Sequence, residues 1–255
     1  MAKVYAIISG KGGVGKTTTT INLGTSLNHL GEDVIIVDGN LTTPNIGIHL
    51  GAPIVPVTLN HVLNGQAKLE DAIYEHESGT KIMPASLSLK EAEKINYKNL
   101  IDIAKKLKKI SDYILIDAAA GLGEEAKSVI SSSDEIIIVT NPEMSAVTDA
   151  LKTIKLAEEM NKTITGVIIT RYQGKRLEMP ISNIKDMLEI PILGIIPEED
   201  SIKESQVLKN AVIFTHPKSS ASKNYFNTSK RLLGHETKFE PPKKPGFFSR
   251  LFKRY

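Results

Sequence analysis

The chain contains no cysteine. Disulfides, thiolate zinc sites and cysteine-held iron–sulfur clusters are therefore excluded. Long apolar runs are missing as well: none approaches the roughly 18 residues that a membrane-crossing helix needs. No secretory leader is read at the N-terminus, because strand-like VYAIIS begins at Val4 and runs straight into a glycine-rich loop. A cytoplasmic protein is expected, free to sit on a membrane surface. Acidic residues are absent from residues 241–255, which hold Lys243, Lys244, Arg250, Lys253 and Arg254. That segment carries +5 against +3 for the whole chain, which leaves −2 for residues 1–240. A nucleic-acid-binding domain more often carries a basic face on its body. The distribution argues against nucleic acid as a partner.

At 255 residues, 41% hydrophobic and 24% charged, the chain suits one globular α/β domain with a tail. Short runs rich in Ile and Val recur at Val4–Ser9, Val34–Val37, Lys81–Pro84, Tyr113–Ile116, Glu135–Thr140, Thr165–Thr170 and Ile192–Ile196. Most lack polar alternation, as strands buried on both faces of a parallel sheet do. Helical patterns fall between them at Lys16–Leu30, Tyr97–Lys109, Ser145–Met160 and Ile181–Leu188. Gly31 is placed as a helix stop, and Pro180 where a first helical turn begins. This alternation predicts a doubly wound, mainly parallel sheet flanked by helices. Residues 1–234 form the predicted domain. Polar, proline-rich residues 235–245 read as an extended linker, and residues 246–255 as a separate terminal segment.

Residues 10–17, GKGGVGKT, match GxxxxGK[ST] between a strand and a helix, the context that a phosphate-binding P-loop requires. Backbone N–H groups of Gly12, Gly13, Val14 and Gly15 can approach phosphate oxygens closely. Lys16 is expected to neutralise the β- and γ-phosphates, Thr17 to offer its hydroxyl to Mg²⁺, and Thr18 to reach the α-phosphate. ATP and Mg²⁺ are the expected cofactors. Asp38 and Asp117 each end an apolar strand, at the carboxyl edge where open α/β folds bind ligands. Together with Thr17 they are the predicted metal residues. The competing readings are an N-cap for Asp117 and a turn cap for Asn40.

The early lysine of KGGVGKTT makes the loop resemble the deviant P-loop of the MinD/ParA ATPases. VIIVDGN at 34–40 resembles that family's first switch, and YILIDAAAGLGEEA at 113–126 its Walker B strand and second switch, with Asp117 and Gly121. IIIVTNPEMSAVTDA, VIITRYQ and ILGIIPEEDSIKES follow its later strand-to-loop segments in order, so the likeness covers most of the chain. TTPNIGIHLG after the first switch resembles archaeal members of the MinD branch. The resemblance implies that Lys11 reaches the phosphates of a partner subunit in an ATP-sandwiched homodimer. It implies catalytic roles for Lys11, Lys16 and Asp38, and places Arg171, Pro197 and Glu198 near the base or ribose. Thr170 stands where many relatives carry an adenine-reading Asn. Asn40 stands where relatives carry an Asp tied to hydrolysis. An amide cannot take a proton from water but can orient one, so slow hydrolysis is expected with Asn40 in the catalytic set.

Set on a helix at about 100° per residue, Phe247, Phe248, Leu251, Phe252 and Tyr255 share an arc of about 140°. Ser249, Arg250, Lys253 and Arg254 fill the remainder. Phe247, Phe248, Arg250, Leu251, Phe252, Lys253 and Arg254 are thus the predicted contacts to an anionic membrane surface. A helix packed on the body, or a disordered end, is the other reading of this segment. The combined expectation is an ATP-dependent dimerising switch, peripheral on the inner face of the cell membrane, that positions partners whose identity is not encoded in any motif. A partition ATPase that binds DNA and a non-hydrolysing adaptor are the alternatives.

Overall fold

The computed structural model describes residues 2–92 and 95–237. The predicted membrane-binding tail at 246–255 and most of the linker lie outside the described residues. Among the described residues eight strands form: β1 (Lys3–Ile8), β2 (Val34–Gly39), β3 (Tyr74–Glu75), β4 (Lys81–Met83), β5 (Tyr113–Ala118), β6 (Glu135–Thr140), β7 (Thr163–Tyr172) and β8 (Ile192–Pro197). They make one sheet in the order β3-β4-β2-β5-β1-β6-β7-β8. Every neighbouring pair is parallel except β3–β4. All seven predicted strands are present. The two-residue β3 is too short to leave a sequence period, and it pairs antiparallel at the edge.

Helices are α1 (Lys16–His29), α2 (Ile46–His49), α3 (Leu59–Leu63), α4 (Leu89–Ala92), α5 (Asn99–Leu107), α6 (Glu124–Ser132), α7 (Met144–Glu159), α8 (Ile181–Leu188), α9 (Asp200–Val207), α10 (Val212–Thr215) and α11 (Ser220–Leu232). Gly31, at φ 95°, closes α1 as the predicted stop. Pro180 is the N-cap of α8.

The apolar runs lack alternation because both faces are covered. Val4, Ala6 and Ile8 of β1 meet a layer built by α5, α7 and α8, through Leu100, Val147, Ile154 and Ile184. Tyr5 and Ile7 meet the opposite layer, through Ile21, Leu23 and Leu27 of α1 and Tyr225 of α11. β1 lies between β5 and β6; the crossover from β1 runs past β5 to β2, and that from β5 runs past β1 to β6, in opposite directions. That reversal opens a crevice at the carboxyl ends of the strands, where the P-loop sits. α11 runs back across the sheet from this edge. Its first N–H groups, of Ser220 and Ala221, donate to Glu199 just after β8. Near its other end Arg231 donates to the Leu193 carbonyl at the start of β8. α11 therefore ends at the edge opposite the crevice.

Candidate nucleotide site

Residues 9–15 turn the chain from β1 into α1. Gly13 and Gly15 sit at φ 77° and 89°, a region that side-chain-bearing residues rarely adopt. Gly15 is the N-cap of α1, and no side chain caps that end. The first turn holds no acid. Its N–H groups and partial positive charge are thus presented to an anion.

The P-loop is braced from below. Thr170, 3% exposed at the end of β7, donates to the Val14 carbonyl at 2.5 Å and lies 3.0 Å from the Thr140 carbonyl. It is a strut under the loop. The sequence placed it at a base-reading position; its hydroxyl is instead committed to the backbone of the cradle.

Asp117 gathers the other side. Its Oδ2 accepts from the Thr17 hydroxyl at 2.5 Å. Its Oδ1 accepts from Lys16 Nζ at 3.2 Å and from the Thr20 hydroxyl at 3.2 Å. Asp38 is its register partner across β2 and β5, and both carboxylates are fully buried. Burial, then the negative charge of Asp117, pushes the Asp38 carboxyl up to about 7. Three backbone N–H groups oppose the shift: Asn45 and Ile46 donate to Oδ2 at 2.9 Å each, and Asn40 to Oδ1 at 3.3 Å. Asp38 therefore anchors the first switch at the start of α2. Two buried carboxylates side by side, with a threonine hydroxyl on one of them, fit a divalent cation. Among the described residues no cluster of three His, Cys, Asp or Glu could hold a metal. Most ligands would then come from phosphate and water, the usual arrangement for Mg²⁺.

The side-chain hydrogen bonds of Asn40 all go to Thr43. Its Nδ2 donates to the Thr43 carbonyl at 2.6 Å, and its Oδ1 accepts from the Thr43 N–H and hydroxyl at 3.3 and 3.0 Å. This is a turn cap. Next to it, Thr42 donates its N–H and hydroxyl to Glu125 at the start of α6, at 2.9 and 3.1 Å. This ties the segment after β2 to the one after β5.

Lys11 is not solvated alone. Its Nζ lies 2.9 Å from Glu143 Oε2 and 2.9 Å from Ser145 Oγ, at the start of α7. The hydrogen bond from Lys11 holds the Glu143 carboxyl below its usual range. Arg171, at φ 53°, and the pair Pro197 and Glu198 end the adjacent strands β7 and β8, on the P-loop edge of the sheet. Gly12 and Gly13 are exposed at the mouth. Of the predicted site residues, hydrogen bonds and strand register join Lys16, Thr17, Asp117, Asp38 and Asn40 directly, while Lys11 is tied to Glu143 and Ser145, and Arg171, Pro197 and Glu198 share only the sheet edge with them. No site role is read from the sequence for Glu143, Ser145 and Glu125, though they lie in the family-like segments, nor for Gln206, which donates to Thr18; each meets the site across a long stretch of chain.

Comparison with known proteins agrees with this geometry. A family model described as an AAA domain matches residues 2–167. An uncharacterized ATP-binding protein of Methanocaldococcus jannaschii is 34% identical, over 99% of this chain and 96% of that protein. The cell division ATPase MinD of Pyrococcus furiosus superposes with a TM-score of 0.89 at 34% identity, covering 92% of this chain and 99% of that one. The septum site-determining protein MinD of Pyrococcus horikoshii, solved with Mg-ADP, gives 0.87 at 36% identity, covering 91% and 96%. The chain belongs to the MinD family of P-loop ATPases.

Proposed function

We propose that this protein is an ATP-dependent dimerising switch that binds a membrane surface and there positions other proteins for cell division or spatial organisation. ATP binds with its phosphates over Gly12–Thr18. Lys16 neutralises the β- and γ-phosphates, Thr17 and Asp117 hold the magnesium side, and Thr18 takes the α-phosphate. Mg²⁺, when bound, neutralises phosphate charge and relieves the paired burial of Asp38 and Asp117. Arg171, Pro197 and Glu198 flank the base or ribose.

The observation that carries the dimer is Lys11. A second lysine stands at the loop and is held at the surface by Glu143 and Ser145. Its side chain is 38% exposed and that of Glu143 58%. Such a pair is weak, typically about 0.2–1 kcal/mol. A partner subunit's phosphates offer Lys11 far more charge, so nucleotide in a facing subunit draws it across. Dimerisation then rewards ATP over ADP.

The tail gives the dimer its output. Its apolar residues, partly buried, contribute less than the roughly 1.5–3 kcal/mol of full burial each. Each basic residue near anionic lipid adds about 1 kcal/mol. After the cost of ordering a short helix, one tail binds weakly. Two tails on one dimer gain roughly 10²–10⁴-fold. Eleven residues, the length of the linker 235–245, span at most about 36 Å when fully extended. Among the described residues no helix is long and apolar enough to cross a membrane.

Hydrolysis is slow, because Asn40, which stands where an Asp would assist the attacking water, is turned toward Thr43. The same engagement favours a second reading, an ATP-gated adaptor that does not hydrolyse. Turnover of wild type against Asn40→Asp separates them: measurable turnover in wild type excludes the adaptor. A faster Asp variant supports the assignment of Asn40 to slow hydrolysis, and a slower one makes Asn40 the better residue here. Sedimentation velocity tests the dimer. Wild type should be monomeric with ADP and dimeric with ATP, and Lys11→Ala monomeric with both. An ATP-bound wild type that stays monomeric overturns the reading.

A further inference from the structure

Thr18, in the first turn of α1, is gripped from two sides by chain that follows β8. Gln206 of α9 donates its Nε2 to the Thr18 hydroxyl at 2.9 Å, across 188 residues of sequence. Asn22 donates to the Thr18 carbonyl at 2.8 Å and accepts the Val212 N–H at 2.7 Å, which pins the start of α10 to the same turn. Between them a cavity of about 10 Å³, lined in part by Thr18, Asn22, His49 and Gln206, has room for one water at most. No ligand of any size enters there, so the contact is protein on protein. α9 itself starts just past Pro197 and Glu198, at the proposed base or ribose side.

A threonine hydroxyl has one hydrogen and two lone pairs, and the amide nitrogen of glutamine only donates. With one lone pair accepting from Gln206, the Thr18 hydrogen is left for another acceptor. We infer that Gln206 is a positioning residue of the nucleotide site, holding the Thr18 hydroxyl so that it donates to the α-phosphate. This rests on the placement of the α-phosphate at Thr18. It also gives α9 a stake in nucleotide occupancy, since the hydrogen-bond chain Gln206–Thr18–phosphate strengthens when its last member is charged.

The test is a double-mutant cycle read by calorimetric Kd for Mg-ADP, with thermal midpoints measured without nucleotide. Thr18→Val and Gln206→Leu should each weaken binding about three- to tenfold. In the Thr18→Val background, Gln206→Leu should change Kd no further. Gln206→Glu should bind more weakly than Gln206→Leu, because its carboxylate takes the Thr18 hydrogen and sets negative charge near the phosphate. Equal losses on Gln206→Leu in both backgrounds would mean general loosening, and would overturn the proposal. So would a loss in Thr18→Val with none, or a gain, in Gln206→Leu. An unchanged Kd in Thr18→Val would instead remove the placement of the α-phosphate, and the proposal with it.

Discussion

Replacing Thr170 by Val swaps a hydroxyl for a methyl of nearly the same shape. The site is 3% exposed, so water does not replace the lost donor. The Val14 carbonyl, which now accepts at 2.5 Å, would be left without the hydrogen bond that ties the loop to β7. A buried acceptor stripped of its partner costs about 1–3 kcal/mol. For a domain of this size each kcal/mol moves the melting midpoint by about 2–4 °C. Thr170→Val should therefore melt about 2–12 °C below wild type, and Thr170→Ser, which keeps the hydroxyl, should recover most of that. Because the strut acts on loop backbone, affinity for ADP and GDP should fall by the same factor. Calorimetric melts and paired titrations with the two nucleotides measure both effects. A Val variant that melts like wild type while its ADP-to-GDP preference changes would refute the strut and restore Thr170 as a base reader.

The two lysines of the loop should part company. Lys11→Met removes an exposed contact to Glu143, so the midpoint should move by only about 1–3 °C and ADP affinity should hold. Lys16→Met leaves Asp117 buried without its cation and should cost about 3–5 kcal/mol in urea melts, with loss of ADP binding. Asp38 sets a pH dependence in magnesium-free, nucleotide-free protein. Its carboxyl, ordinarily near 3.8, is raised to about 7 in the fold, so the folded state holds this proton more tightly than the unfolded chain. Its contribution to stability is present below pH 4 and is lost as pH rises to about 7. Asp38→Asn removes that loss, so its stability relative to wild type should climb between pH 4 and 7 in urea melts with EDTA. A difference that is flat across this window would contradict the raised carboxyl.

Much of the site is legible in the sequence because its parts are adjacent there. The cradle is one run, GKGGVGKT, and a strand and a helix on either side fix its shape. Asp38 and Asp117 are readable as acids at the ends of apolar strands, and parallel pairing puts them in register. What stays hidden is contact between distant segments. Lys11 meets Glu143 across 132 residues, and Thr170 meets Val14 across 156. No spacing rule reaches that far, so neither the tie from Lys11 to Glu143 nor the strut from Thr170 to the loop is visible in the sequence. Asn40 was open between water positioning and turn capping; its three hydrogen bonds to Thr43 are those of a cap in this conformation. The antiparallel β3 and the four-residue α2 are too short to show a period, yet α2 supplies the N–H group that anchors Asp38 from Ile46.

The proposed switch is one chain of cause, in which ATP makes the dimer and the dimer holds the membrane. Co-sedimentation with liposomes containing anionic lipid tests it most directly, with wild type and a chain ending at residue 245, each in ATP and in ADP. Wild type should pellet with liposomes in ATP and stay largely in solution in ADP. The shortened chain should stay in solution in both while keeping its ADP affinity. Equal binding in ATP and ADP, or undiminished binding without residues 246–255, would contradict the account.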